Sequence, residues 1–161
     1  MRRRFLRKSL WAAALVPALA LGCGWLPARD SKPKDLRILQ RWAGDYPLAE
    51  LDRLPEGQRR SRVGYLGDTA AFTQLWQVFK PETPVPTLDF SKHIVVFARN
   101  VDLYRRVLIA KVTLTRGVAE IIDVEAASEA PIEDRVAMAM ALIPRDGLEF
   151  IQRGEQRIPV R

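Results

Sequence analysis

Residues 106 to 115 and 118 to 125 read with a period of two on the two sides of the turn Thr115-Arg116-Gly117. Two alternating runs joined by a tight Gly-containing turn are an antiparallel hairpin, and a hairpin needs further strands to bury its apolar face. This pattern commits the second half of the chain to β-structure. The reading places Leu108, Ala110, Val112 and Leu114 on one face and Ile109, Lys111 and Thr113 on the other.

The flanking segments fit such a sheet. Ile94 to Ala98 is an unbroken apolar run rich in β-branched residues, which suits a strand buried on both faces. Residues 135 to 143 read either way: Ala and Met favour helix, whereas Val136, Met138, Met140 and Leu142 alternate with alanines. The alternation favours a strand, with close packing on its alanine side. Val63 to Leu66 reads as a short strand, and residues 150 to 160 as a last hairpin about Arg153-Gly154-Glu155. The clearest helix is Ala70 to Phe79: Phe72, Leu75, Trp76 and Phe79 share a face, Asp68 suits the N-cap, and Pro81 stops it. Leu36, Ile38 and Trp42 fit strand or helix, and Gly44, Pro47, Pro55 and Gly57 mark an irregular stretch after them. The expected fold is α+β: a mostly antiparallel sheet or sandwich of about six strands with one amphipathic helix packed on it.

The charge is unevenly placed. The 161 residues carry 26 Lys+Arg and 19 Asp+Glu, a formal +7. Five of the bases (Arg2, Arg3, Arg4, Arg7, Lys8) lie in the first eight positions, and no acid precedes Asp30. Without residues 1–22, 21 bases face 19 acids, a net of +2, so the excess that suggests nucleic acid belongs to the leader and no nucleic-acid partner is expected. The leader has a basic start and an apolar run from Leu10 to Leu21, short for a membrane span and right for an export signal. It ends in Leu19-Ala20-Leu21-Gly22-Cys23, which resembles a bacterial lipobox, with Ala20 where a leucine is usual. The resemblance implies a signal peptide over 1–22, a covalent lipid on Cys23, and a membrane anchor made by that lipid. Gly24 after the cysteine favours the outer membrane if the host has one. Arg2-Arg3-Arg4-Phe5-Leu6-Arg7 also matches a twin-arginine pattern, so both export routes stand open. Residues 23–35, with two prolines, read as a tether, and 36–161 as one globular domain.

From about Arg62 to Phe150 the chain resembles the C-terminal domain of the PrcB family of protease-complex subunits. The residues that carry this are Phe72-x-x-Leu75-Trp76, then Leu88-Asp89-Phe90-Ser91-Lys92 leading into Ile94-Val95-Val96-Phe97, and finally Leu142-Ile143-Pro144-Arg145. Where that family carries a glycine-rich turn, this chain has Arg99-Asn100-Val101-Asp102-Leu103-Tyr104. The resemblance implies a lipoprotein or secreted accessory domain that binds or stabilises a protein partner.

Catalytic chemistry finds few groups. His93 is the only histidine, with Ser91 and Asp89 on the same side of an extended segment. Side chains two apart on a strand are too widely spaced for a mutually hydrogen-bonded triad. Asp89 is better suited to accepting turn N–H groups. One histidine and one cysteine supply no metal set, and Glu120, Asp123, Glu125, Glu129, Glu133 and Asp134 lack the spacing of a calcium loop, so they read as a solvated face. No cofactor, metal or catalytic residue is expected. Arg53, Arg59, Arg60 and Arg62 read as a solvated loop balanced by Asp52 and Glu56. Trp76 reads as core. The recognition element is placed in the loop from Asn100 to Arg106, with Asn100, Tyr104, Arg105 and Arg106 as contacts for an envelope protein. The alternatives are an enzyme built on His93 and carboxylates, and a periplasmic binder of small ligands or cell-wall fragments.

Overall fold

The structure, a computed structural model, describes residues 32–100, 106–126 and 134–161. In it two sheets and one helix form three layers. The first sheet holds β1 (Lys34–Leu36), β5 (Arg106–Thr115), β6 (Val118–Ala126), β8 (Phe150–Arg153) and β9 (Gln156–Pro159), in the order β1-β5-β6-β8-β9. The second holds β2 (Gln40–Pro47), β3 (Val63–Leu66), β4 (His93–Arg99) and β7 (Arg135–Pro144), in the order β2-β7-β4-β3. Every strand pair is antiparallel except β6 with β8. The α+β sandwich expected from the sequence is therefore the fold. The described residues contain nine strands where about six were expected.

The second sheet is the middle layer, and this explains its sequence. Ile94, Val96 and Ala98 of β4 join Ala137, Ala139 and Ala141 of β7 in the core between the sheets. Val95 and Phe97 join Met138, Met140 and Leu142 in the core under the helix. With both faces covered, β4 is apolar throughout. On β7 the alanines let the two sheets approach closely, while the methionines fill the uneven surface under the helix. β7 is thus a strand, as its alternation suggested over its helix propensity.

Helix α1 (Thr69–Phe79) begins where Asp68 accepts a hydrogen bond from the Ala71 N–H at 2.8 Å. Its buried face is Phe72, Leu75, Trp76 and Phe79. The Trp76 ring meets Trp42 at 5.4 Å edge-on and Phe72 at 5.4 Å. Trp42 lies on β2, so the segment of undecided type before Gly44 is a strand that the helix covers.

The β5–β6 hairpin departs from the expected facing. Its register shifts between Ile109 and Lys111, a bulge that inserts Ala110. Val107, Ile109 and Val112 therefore point into the core, and Leu108 is 52% exposed beside its cross-strand partner Val124. One extra residue inverts the faces on one side of the bulge, which strict alternation cannot anticipate. The turn places Arg116 and Gly117 at φ of 51° and 83°, the left-handed pair that a two-residue hairpin turn requires.

Two packing details give expected outcomes. A Cβ on Gly64 would lie 2.3 Å from the Phe97 ring and 2.2 Å from the Gln58 side-chain oxygen. Gly64→Ala is expected to destabilise by about 1–3 kcal/mol in urea unfolding, because the ring and the amide are both held in place. Unchanged stability would mean that Phe97 and Gln58 yield freely. Tyr46 is fully buried, and its hydroxyl donates to the Glu50 carbonyl at 2.8 Å. Burial first, and then Glu50, push its pKa up to about 12. The unfolded tyrosine ionises near its ordinary value and the folded one does not. Stability is therefore complete below the unfolded value and falls as pH rises from there toward 12. Tyr46→Phe is expected to remove that alkaline loss, read by unfolding at rising pH, and to cost about 1 kcal/mol at neutral pH.

Candidate functional site

The end of the sandwich that carries Arg106 is the best-defined candidate. Asn100 follows β4 and continues its ladder, its N–H donating to the Ala137 carbonyl at 3.1 Å. Only 8% of Asn100 is exposed, so the expectation of a surface contact is corrected: the ladder holds it inside. Arg106 starts β5 opposite Ala126 and is exposed. Tyr104 and Arg105 lie outside the described residues, as does Cys23.

A cleft of about 520 Å³ opens between the sheets beside Arg106. One side is Ala43, Gly44 and Asp45 on β2, and the other is Arg106, Val107 and Leu108 on β5. Ala126 and Ala137 complete its wall. The cleft exists because β1 covers β5 only at Val112–Leu114 and the chain then crosses to the other sheet. Its lining is small and apolar with an arginine and an aspartate at opposite sides, a surface suited to holding a chain segment. Strand β2 runs from the segment left open between strand and helix into the stretch read as irregular from Gly44, so sequence reasoning found Arg106 and missed the other wall.

Next to this end, Arg153 crosses between the layers. Its guanidinium meets Asp123 through two bonds of 2.7 and 2.6 Å, meets Glu125 at 3.0 Å, and donates to the Arg99 carbonyl at 3.1 Å. The hydrogen bond to Asp123 is the main cause that raises the Arg153 pKa, against burial that lowers it. Asp123 and Glu125 were read as part of a solvated acidic face. Asp123 is instead the half-buried partner of Arg153, a long-range pairing that no local spacing reveals. Arg153 thereby ties the first sheet to the end of β4.

The residues considered for a triad do structural work. Asp89 accepts from the Ser91 N–H at 3.1 Å and from the Ser91 hydroxyl, and pairs with Lys92 at 3.3 Å. Its carboxyl is held below the ordinary range, chiefly by the Ser91 hydroxyl and then by Lys92. His93 sets its Nδ1 3.2 Å from the Asp89 backbone carbonyl, and the carboxylate is not its partner. The three form the turn that starts β4, as the sequence suggested for Asp89. Among the described residues no group of three His, Cys, Asp or Glu side chains gathers to hold a metal, and no helix is long and apolar enough to cross a membrane.

The basic loop is distributed. Arg53 pairs with Glu50 at 2.7 Å, while Arg59 and Ser61 offer backbone carbonyls to Arg99. A second cleft, about 440 Å³, lies between this loop and α1, lined in part by Asp52, Gln58, Arg59, Tyr65, Gln74 and Arg161.

Comparison with protein-family models, with curated proteins and with solved structures found no match.

Proposed function

We propose that the chain is a lipid-anchored envelope protein whose globular domain is a non-catalytic, protein-binding accessory module of PrcB-like type. The observation that carries this reading is the cleft at Arg106, an open, mainly apolar seam with one exposed cation at its edge on a rigid two-sheet body. The leader and Cys23 supply the setting: a covalent lipid would hold the domain on the membrane, on the periplasmic side of the outer membrane in a diderm cell. The partner is then another envelope protein. Affinity purification of the full-length protein from mildly solubilised native membranes is expected to recover a stoichiometric protein. Arg106→Glu is expected to lower its recovery at least tenfold, and Cys23→Ser to release the chain from the membrane fraction. No copurifying protein after mild crosslinking would overturn the reading.

The 440 Å³ cleft favours one second reading, a binder of small ligands or cell-wall fragments, since its glutamines, arginines and tyrosine offer polar contacts in a concave site. A rise in melting temperature with soluble cell-wall fragments would support it, because a ligand of the folded state alone stabilises that state.

A further inference from the structure

The 440 Å³ cleft has a neighbour. A cleft of about 330 Å³ lies between the same loop and β9, and Gln58, Tyr65 and Arg161 line both, so the two meet at these side chains. The residues that line the pair lie between Asp52 and Gln74 and between Gln156 and Arg161, two stretches described without a break.

The floor where the clefts meet is held in place before any ligand arrives. Gln58 is 6% exposed, and its side-chain oxygen accepts from the Tyr65 N–H at 2.7 Å. A backbone donor can only meet the oxygen of the amide, so Nε2 is fixed as the remaining donor. Among the described residues Nε2 has no hydrogen-bond partner, and it is not sealed from solvent. Gly64 lets the amide lie there, since a Cβ would stand 2.2 Å from its oxygen. The Tyr65 hydroxyl accepts from the Arg161 N–H at 2.9 Å, which leaves the phenolic proton to donate. Beneath the loop, the buried Arg99 fastens the Ser61 and Arg59 carbonyls, so these donors are preorganised.

The polar groups around this floor are of mixed sign. Arg59, Gln74 and Asp52 line one cleft, and Arg157 and Glu56 the other. An anion would meet the carboxylates and a cation the arginines. A neutral hydroxyl donates and accepts at once, so it suits both kinds of group. Carboxylate, carboxamide and guanidinium each present two polar atoms in one plane, which grip neighbouring hydroxyls of a sugar ring. Pro55 in one cleft and Pro159 in the other offer apolar surface to the C–H faces of such rings. A polypeptide strand fits less well, because the backbone N–H groups of Tyr65 and Arg62 are already taken by Gln58 and Gln156. Both volumes fall in the range of small-ligand sites.

We propose that the paired clefts bind a neutral glycan, with a sugar ring in each cleft and with Gln58 and Tyr65 donating to hydroxyls where the clefts meet. This rests on the second reading above, a polar cleft for small ligands or cell-wall fragments, and names the chemical class of the ligand.

The test uses the full-length protein in a detergent without a sugar head. The probes are N-acetylglucosamine and its oligomers, with a panel of other neutral oligosaccharides. At least one glycan is expected to bind at least tenfold more tightly as an oligomer than as a single sugar, because only the longer chain reaches both clefts. Its titration is expected to shift the Gln58 side-chain amide signals in the NMR spectrum. Gln58→Glu keeps the oxygen that the Tyr65 N–H needs and removes the donor, so it is expected to weaken binding at least tenfold with little change in melting temperature. Should that variant fail to fold, Gln74→Ala at an exposed position of α1 probes the same cleft and is expected to weaken binding about threefold. The proposal is overturned if no glycan of the panel binds, if the shifts fall on other residues, or if neither variant weakens binding. Cell-wall stem peptides that raise the melting temperature while no glycan binds would keep the second reading and remove this inference. Binding of neutral glycans but of no cell-wall fragment would do the reverse.

Discussion

Trp76→Ala is expected to lower the unfolding free energy by about 3–5 kcal/mol, the range for truncating a buried aromatic. Trp76 is 2% exposed and packs against Trp42, Phe72 and Phe79, so its removal opens a void under three rings that cannot all move inward. Its indole N–H also donates to the Thr83 carbonyl at 3.0 Å, which fastens the segment after α1. Urea unfolding followed by tryptophan fluorescence of the remaining residues measures the loss, and Trp76→Phe is expected to recover more than half of it. At this domain size the alanine variant should melt about 10 °C lower. The effect reaches the candidate site through Trp42: loosening α1 loosens β2, one wall of the Arg106 cleft. A loss under about 1 kcal/mol would mean that the helix contributes little to holding the middle sheet.

The sequence makes visible those elements whose burial is uniform over several residues. β4 is covered on both faces and reads as a continuous apolar run. α1 is covered on one face and reads at helical spacing. β7 was harder, because alanine and methionine prefer helix. Its true signal was a size alternation, small toward the other sheet and large toward the helix. β2 was illegible for a physical reason. It is an edge strand whose residues are mostly half-buried, and it carries a glycine against the Phe79 ring and a proline at its end. Turn-forming residues at an edge look like a loop until the partner strand is known. β1 was equally hidden: a three-residue strand next to Pro33 resembles a tether.

The candidate site was legible in part. Arg106 was found because it adjoins a loop between strands, where function concentrates. Asn100 was misplaced by one step, since the β4 ladder extends past Arg99 and draws it inside. The pairing of Asp123 with Arg153 spans thirty positions, so nothing local announced it. The bulge at Ala110 reversed the hairpin's faces near Arg106. That same bulge presents two successive carbonyls to Arg41, the bond that closes the seam above the cleft.

Arg99→Ala is the second large effect, and opposing contributions set its size. The Arg99 side chain is 1% exposed. Its Nε donates to the Ser61 carbonyl at 2.6 Å and one terminal nitrogen donates to the Arg59 carbonyl. The other terminal nitrogen is buried with no hydrogen-bond partner among the described residues. Burial holds its pKa below the ordinary arginine value, with Tyr46 a smaller opposing influence. Removing the side chain relieves a buried cation that pairs with no carboxylate among the described residues, which favours the variant. It also strands two carbonyls and leaves a cavity at the junction of β4 with the loop before β3. Each stranded acceptor costs about 1–3 kcal/mol, and the cavity adds to that. We expect the losses to win, with Arg99→Ala about 2–4 kcal/mol less stable in urea unfolding. Arg99→Met refills the space without the charge, so it should lose only about half as much. If Arg99→Met proves more stable than the parent, desolvation of the guanidinium dominates, and the arginine is kept for what it positions. That role is visible in the backbone. The Arg99 N–H donates to the Arg62 carbonyl at 2.8 Å and its carbonyl accepts from Arg153, so one residue aligns the basic loop, the end of β4 and the strand that holds Asp123. In either case amide exchange at residues 58 to 62 should quicken in Arg99→Ala, because the carbonyls that fix this loop would be left to water.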